Sequence, residues 1–333
     1  MTTTATTTLS PAPAIIAPVL KPRHVLANPC DDLDALFEPL VSASDALRTN
    51  GFAPGSFSMV MTNAAYHADK SAVSTSQMKL LIRSYAHYLR GRQEEAESST
   101  SQNLGTALHA AVLEPNLFET DFLCWKGGRR FGKEWDAFKD AADGKIILTT
   151  DEMTKVNGMR DAVCNFRMPD QDVLLGDLLV RGEAEKMIYW EDPETGIVCK
   201  MRADCLFAPY VTFDLKSCGD ARPGGFLSQQ ALKLDYDLQA AVYHSGVQAY
   251  TGNALPFVFI AVETEAPHGV WLHETGPGTA FFENGMAKFR YALRTLKRGR
   301  EENKAWPGSY AEAYTVLDDI PLYARFAPPD GQY

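Results

Sequence analysis

Residues 200–216 read KMRADCLFAPYVTFDLK and predict two adjacent antiparallel strands with a turn at Ala208-Pro209. If the turn centres on the proline, Asp204 and Asp214 are directly opposed on one sheet face, with Cβ atoms about 5 Å apart. Lys216 lies two residues beyond Asp214 and therefore points to the same face. Opposed like charges destabilise a strand pair unless a cation offsets them. A divalent metal would offset them, and a lysine beside it would face the reacting group, as in a metal-dependent phosphodiesterase.

The alternative interpretation is an ordinary solvated strand, since isolated Asp-x-Lys triplets are common there. The surroundings of this triplet favour the catalytic interpretation. Residues 211–215 are otherwise rich in β-formers and largely apolar, so Asp214 and Lys216 interrupt a strand that has the composition of a buried one. Buried charges persist where they are paired or bind a metal.

The composition of the 333-residue chain fits a globular protein of one large or two small domains, with 45% hydrophobic and 11% aromatic residues. No apolar run approaches the ~20 residues that cross a bilayer, and the N-terminal stretch lacks the basic and apolar regions of a secretory signal. The six cysteines form no C-x-x-C pair, which argues against a zinc ribbon, an iron–sulfur cluster and a disulfide framework. We therefore expect reduced thiols and a cytoplasmic location.

The net charge of −10, from 32 basic and 42 acidic residues, is unusual for a nucleic-acid-binding protein, which normally presents a basic surface. It does not exclude one, because a metal site requires acidic residues and a local basic patch can act within an acidic protein. The sequence predicts such a patch at Lys126, Arg129, Arg130 and Lys133.

The order of the predicted elements indicates an α/β core with a mixed sheet. Residues 1–55 are rich in Thr, Pro and Ala and are predicted to form a disordered arm, followed by a globular part over residues 56–325. The predicted strands are Glu183–Glu191, Val198–Phe207 and Val211–Lys216, which form a meander, and Pro256–Glu263. The predicted helices cover about 76–92, 104–113, 135–142, 151–166 and 235–250, with a long helix from beyond 277 to about 300 and a polar loop at 94–103.

Two of these helices carry further candidates for the site. His109 lies in the second helix, although a lone helical histidine is more often a core or surface residue. Gly105, one turn earlier on the same helix face, would let another backbone approach closely, as expected if His109 reaches the sheet. Gln239 and Tyr243 are spaced i, i+4 and so face one way; they are either ordinary helix surface or contacts to the scissile phosphate region or the lysine.

Glu183 and Glu185 begin the first meander strand and share a face. A turn centred on Glu194 would put Glu185 on the face away from Asp204, whereas a one-residue bulge would put it opposite Asp204. The remaining alternative is that both glutamates are solvated edge charges.

The chain resembles the PD-(D/E)xK nuclease superfamily, and more narrowly its RecE branch, the C-terminal nuclease domain of exodeoxyribonuclease VIII. Phe213 stands where the superfamily name places proline, a position that varies widely. The arm is shorter than the long N-terminal region of the full-length bacterial enzyme, and this shorter length is closer to that of a stand-alone phage-type recombination nuclease. The Asp-x-Lys triplet alone is unspecific, but the ordered set is specific and the resemblance extends over about residues 55–324. The residues that carry it, in chain order, are His109, Glu185, Asp204, Asp214-x-Lys216 and Gln239-x-x-x-Tyr243.

The resemblance implies a restriction-endonuclease-like fold, a central mixed β-sheet flanked by helices. It implies a bacterial or phage-encoded exodeoxyribonuclease that requires Mg²⁺, with Mn²⁺ as a substitute. Such an enzyme degrades one strand of linear double-stranded DNA from 5′ to 3′ and leaves a 3′ single strand for annealing-type recombination. The implied partners are double-stranded DNA ends, a RecT-like single-strand annealing protein and further copies of the chain in a ring.

The resemblance also implies the metal ligands. Asp204, Asp214 and the carbonyl of Leu215 would hold Mg²⁺, which prefers oxygen ligands. His109 and Glu185 would complete the site for one or two ions.

The remaining site residues would act on the substrate. Lys216 would orient the attacking water or offset developing charge, with Gln239 and Tyr243 nearby. Arginine makes bidentate contacts to phosphate, and hydroxyl groups can donate to it. The candidates for binding the 5′ phosphate or the strand are Ser74, Ser76, Arg83, Arg129 and Arg130.

Two other functions stay open from the sequence. A non-catalytic DNA-end-binding module of the same fold would be expected to have lost Asp204, Asp214 or Lys216, and all three are present. A structure-specific endonuclease would use the same metal site. A Cas4-like nuclease is disfavoured, because it needs several cysteine ligands after the lysine and only Cys218 is found there.

Overall fold

The structure, a computed structural model, describes most of the chain beyond its N-terminal region. No helix in this part of the chain combines the length and the apolarity that a membrane span requires. The described residues are 56–59, 62–92, 100–169 and 172–302.

All described residues belong to one compact unit of the chain. The predicted arm at residues 1–55 lies outside the described residues. The same holds for residues 303–325 at the end of the predicted globular region.

A six-stranded sheet forms the centre of the described part of the chain. The strands of the described chain are β1 Ser56–Met59, β2 Phe122–Trp125, β3 Ile146–Thr149, β4 Glu183–Glu191, β5 Val198–Phe207, β6 Val211–Cys218, β7 Phe257–Glu263 and β8 Val270–Thr275. The strand order in the six-stranded sheet is β1-β4-β5-β6-β7-β8; β6 and β7 are parallel and the other neighbours antiparallel, so the sheet is mixed, as predicted. The two remaining strands, β2 and β3, form a separate parallel pair.

Helices flank this sheet. The last two long helices pack against each other, and the first of them also contacts β4 and β5. A short helical turn, Pro223–Gly225, and a π-helical turn, Phe226–Ala231, follow β6. The α-helices are α1 Asn63–Ala68, α2 Thr75–Arg83, α3 Tyr85–Gly91, α4 Thr100–Leu113, α5 Pro115–Asp121, α6 Lys133–Ala141, α7 Thr150–Cys164, α8 Leu175–Arg181, α9 Tyr236–Thr251 and α10 Ala280–Glu302.

Two helix predictions were wrong in detail. The first predicted helix is two helices, because the backbone at Ser84 is extended and its hydroxyl accepts a hydrogen bond from the N–H of His87, which caps α3. The polar loop predicted at 94–103 ends earlier than expected, since α4 already begins at Thr100.

The turn between β5 and β6 has the predicted centre. Cys205 pairs with Phe213 and Phe207 with Val211, a register that is symmetric about Pro209. Asp204 and Asp214 occupy the next positions beyond the Cys205–Phe213 pair. The sequence pattern therefore sets the two aspartates beside each other before any side-chain contact is considered.

The register of β4 and β5 decides where Glu185 lies. Ala184 pairs with Cys205 and Lys186 with Ala203, so Glu185 stands opposite Asp204. Neither predicted alternative for the turn holds, because the pairs on both sides of Glu185 keep the same register, whose centre lies between Glu194 and Thr195 and which needs no bulge. Asp192 stabilises this turn by accepting hydrogen bonds from the N–H and hydroxyl of Thr195.

Candidate active site

Three strands and one helix bring the predicted residues together. His109 from α4, Glu185 from β4 and Asp204 from β5 form a histidine–carboxylate cluster whose ligand atoms all lie within 4.8 Å of one another. Asp214 and Leu215 of β6 adjoin it. His109, Glu185 and Asp204 are far apart in the sequence, and the register of β4 and β5 brings the two carboxylates together.

Asp204 is held between a backbone N–H and His109. One carboxylate oxygen accepts a hydrogen bond of 2.7 Å from the N–H of Leu215 and lies 3.4 Å from His109 Nδ1. Burial acts to raise the pKa of Asp204, but the adjacent His109 and Lys216 outweigh it, so the pKa lies below its usual value. Asp204 is therefore an anion in the folded protein at neutral pH.

His109 bridges the helix and the sheet. Its Nε2–H donates to the carbonyl of Leu215 at 2.9 Å, and Nδ1 lies 3.9 Å from Glu185. Burial acts to lower the pKa of His109, but the Asp204 and Glu185 carboxylates raise it to about 10. The predicted role of Gly105 was wrong, since a Cβ there would meet no described atom within 4 Å.

Of the two candidate glutamates, the structure brings Glu185 to the cluster. Its Oε2 lies 2.7 Å from Arg202 Nε. Glu183 is instead paired with Lys186 at 2.6 Å and is half-exposed. Sequence reasoning missed Arg202, although strand alternation could have found it, because it is two residues from Asp204 on the same strand.

Asp214 and Lys216 form a buried ion pair. The Asp214 side chain is wholly buried and pairs with the Lys216 ammonium, while Gln239 Nε2 donates to its other oxygen at 2.6 Å. Burial raises the pKa of Asp214 to about 7, with Lys216 opposing and Asp204 reinforcing the rise. Burial acts in the opposite sense on Lys216, but Asp214 and Asp204 raise its pKa above the ordinary value.

Gln239 and Tyr243 of α9 face the same way, as their i, i+4 spacing predicted, and both side chains contact residues of the sheet. Tyr243 forms a side-chain hydrogen bond with Gln239 and packs edge-on against Phe257 at 5.9 Å. Burial, and then the Asp214 carboxylate, raise the pKa of Tyr243 well above its ordinary value. Tyr243 is thus neutral, and it is hydrogen-bonded to Gln239, the residue that donates to Asp214.

Sequence reasoning also missed the surroundings of the Lys216 ammonium. This ammonium lies 5.1 Å from the ring centre of Tyr236, and Lys79 of α2 lies 5.9 Å from the same ring. The Tyr236 hydroxyl accepts a hydrogen bond of 3.0 Å from Gln230 of the π-helical turn. No motif or periodicity indicated this group, because its members come from separate elements.

The predicted phosphate-binding residues fall into two groups. Ser74 and Ser76 lie at the start of α2 with hydroxyls 3.0 Å apart, and Arg83 is exposed on its last turn. The two arginines of the predicted basic patch follow β2. Arg130 is paired with Glu152 and also donates to the carbonyl of Ile147, and Arg129 lies over the ring of Phe131, so both have local partners in the protein.

The donors in the cluster suit a divalent cation. Carboxylate oxygens and an imidazole nitrogen are common ligands of such ions. Leu215 adjoins them through its backbone, and Asp214 is next to it in β6. A divalent cation held there would lower the pKa of water and offset the negative charge of a phosphodiester.

The family model of a PDDEXK-like domain of unknown function (DUF3799) matches residues 74–316. The chain belongs to this family. The matched range contains all residues from His109 to Tyr243, and the match confirms the prediction of the PD-(D/E)xK superfamily and of its fold.

One solved structure similar to this chain is a crystal structure of a "putative exonuclease" from Eubacterium rectale. The TM-score is 0.51 and the identity 17%, over 72% of this chain and 88% of that one. At this identity the likeness shows the fold alone. No match was found among curated proteins. The family match, to a PDDEXK-like domain over most of the chain, supports a nuclease.

Proposed function

We propose that this protein is a Mg²⁺-dependent exodeoxyribonuclease that degrades one strand of linear double-stranded DNA. The observation that carries the proposal is the histidine–carboxylate cluster standing beside the buried Asp214–Lys216 pair. Separately, neither feature would specify phosphodiester hydrolysis. Together they supply ligands for a cation and a fixed ammonium next to it, within a family of the matching fold.

The residues of the site fall into two groups: those that would bind the metal, and those that position the substrate and the ligands. His109, Glu185, Asp204, Asp214 and the Leu215 carbonyl would hold Mg²⁺, for which Mn²⁺ could substitute. The superfamily provides the precedent for this ligand set.

The other polar groups position the substrate and the ligands. Lys216, fixed by Asp214, orients the attacking water or neutralises charge on the phosphate. Gln239 holds the Asp214 carboxylate in place, and Tyr243 supports Gln239. Arg202 orients Glu185 through its ion pair.

The finer parts of the proposal rest on the resemblance to the RecE branch. These are 5′ to 3′ polarity, a 3′ single-stranded product for annealing-type recombination, a RecT-like partner, a ring of several copies and a cytoplasmic location. Ser74, Ser76 and Arg83 are the better candidates for the 5′ phosphate, because Arg130 is already paired with a carboxylate. Arg129 stays a candidate for binding the strand.

The test uses linear duplex DNA labelled separately at the 5′ and 3′ ends, a closed circle of the same sequence, and Mg²⁺. We expect early release of 5′ label and an intact circle. Lys216→Met and Asp214→Asn should lower the rate by about 100-fold or more, whereas Asp177→Asn, on the exposed side of α8, should not. Circle cleavage would indicate an endonuclease. Binding of DNA ends without cleavage under any metal would indicate a non-catalytic module.

A further inference from the structure

Lys79 is a half-buried lysine beside the proposed catalytic lysine. It lies on α2, and its ammonium shares the ring of Tyr236 with the ammonium of Lys216. Both lysines are held at defined positions, since Lys79 donates to the carbonyl of Leu234 and Lys216 is paired with Asp214. Two cations on one aromatic ring repel each other unless an anion lies near them.

Among the described residues, no carboxylate is within ion-pair distance of Lys79. The nearby acids Asp235 and Asp237 are already engaged by Lys288 of α10, at 2.6 and 2.9 Å. Burial lowers the pKa of Lys79 and Lys216 contributes in the same direction, whereas the carboxylates of Asp235, Asp214 and Asp237 oppose the shift without reversing it. Its charge is therefore only partly compensated within the protein, although its position is fixed.

We propose that Lys79 binds a backbone phosphate of the DNA strand next to the phosphate that Lys216 faces. The inference rests on the proposed function. It assigns Lys79 as a substrate-positioning residue, with Tyr236 as the ring that spaces the two ammonium groups. Ser74 and Ser76 begin the same helix, so one rigid element would present several phosphate contacts in a row.

The competing explanation is that Lys79 only fastens α2 to the segment before α9. Lys70 provides a matched control, because its ammonium also donates to a backbone carbonyl, that of Arg92 at 2.8 Å. Lys79→Gln separates the two explanations, since the amide can still donate to the Leu234 carbonyl but carries no charge. Lys79→Arg keeps the charge.

The experiment measures binding of a 5′-phosphorylated duplex end to the full chain in EDTA, by fluorescence anisotropy over a series of KCl concentrations. Each phosphate contact adds about 0.7–0.9 to the slope of log affinity against log salt concentration. We expect Lys79→Gln and Lys79→Met to reduce this slope by about 1 and to weaken binding about tenfold. Lys79→Arg and Lys70→Met should retain the wild-type slope.

Cleavage in Mg²⁺ gives a second readout. Lys79→Gln should raise KM for DNA about tenfold with a smaller change in kcat, because Lys79 binds the strand and does not contact the reacting atoms. A wild-type salt slope in Lys79→Gln, with the wild-type protein binding and cleaving DNA, would overturn this inference alone. Failure of the wild-type protein to bind DNA would overturn the proposed function as well.

Discussion

At the scale of single residues, Glu185 adopts a left-handed backbone conformation, with φ of 49°, within an otherwise regular strand. Non-glycine residues seldom adopt this conformation, which costs about 1–3 kcal/mol and persists where the surroundings impose it. Here the pairs on both sides fix the strand, and Arg202 holds the carboxylate. The strain is thus located at the residue whose side chain meets His109 and Asp204.

The protonation of His109 gives a prediction for the metal-free protein. Its pKa is raised from 6.5 to about 10 in the folded state, so the folded chain binds this proton more tightly than the unfolded chain. The resulting stabilisation is fully present below pH 6.5 and is lost as the pH rises to about 10. Urea unfolding in EDTA should therefore show wild-type stability falling across this range.

His109→Asn is the control for that measurement. It cannot take up the proton, so its stability should fall less over the same pH range, and lysine and tyrosine titration should affect both proteins alike. Parallel pH profiles for the two proteins would contradict the assigned contacts of His109 with Asp204 and Glu185.

A residue of the site could be predicted from the sequence only where local sequence patterns determine its position. Asp204, Asp214 and Lys216 follow from strand alternation and one turn centre, both of which are local. Whether Glu185 lies on the same face as Asp204 depends on half a residue in the centre of another turn, which the sequence does not specify. Lys79 comes from a distant helix, so only the three-dimensional packing brings it to Lys216.

At the scale of secondary structure, the strands with strong apolar alternation and clear turn residues could be predicted. The bounds of β4 and β5 match the prediction, because Asp192 and Gly196 mark the turn between them. The sequence did not predict β8, an edge strand in which polar residues such as His273 and Glu274 dilute the pattern. The break at Ser84 was missed because helical periodicity continues across it.

Replacement of a helical glycine by alanine should have opposite effects on the free energy of unfolding at two positions, Gly285 and Gly105. In α10, a Cβ on Gly285 would lie 2.0 Å from the backbone carbonyl oxygen of Asp237, so Gly285→Ala must push α9 and α10 apart. We expect a loss of about 1–3 kcal/mol in the free energy of unfolding. In α4, Gly105 has no described atom near its Cβ position, so Gly105→Ala should stabilise the helix by about 0.5–1 kcal/mol.

Urea unfolding of both variants checks this pair of predictions. Circular dichroism before unfolding would show whether Gly285→Ala keeps its helical content. Stability of Gly285→Ala equal to that of the wild-type protein would contradict the close contact of α9 and α10, and a destabilised Gly105→Ala would indicate a neighbour at α4 beyond the described residues.

At the scale of the whole molecule, the protein carries a net charge of −10 and concentrates several acids at one site. In the described part of the chain, those acids are offset by His109, Arg202 and Lys216. These contacts pair the acids when no metal is bound, but they leave the histidine–carboxylate cluster with more negative than positive ligand groups. A divalent cation that binds the folded chain and not the unfolded chain should therefore stabilise the entire structure by linkage.

Thermal unfolding with and without Mg²⁺ or Mn²⁺ measures that linkage. A cation at a hundred times its Kd stabilises the folded state by about 2.7 kcal/mol, which for a domain of this size raises Tm by about 5 °C or more. EDTA should reverse the rise. Asp204→Asn removes one anionic ligand and should abolish most of the shift, whereas Asp177→Asn should keep it. An equal shift in Asp204→Asn and wild-type protein would mean that the cation binds elsewhere, and the cluster would lose its proposed role even if the protein cleaves DNA.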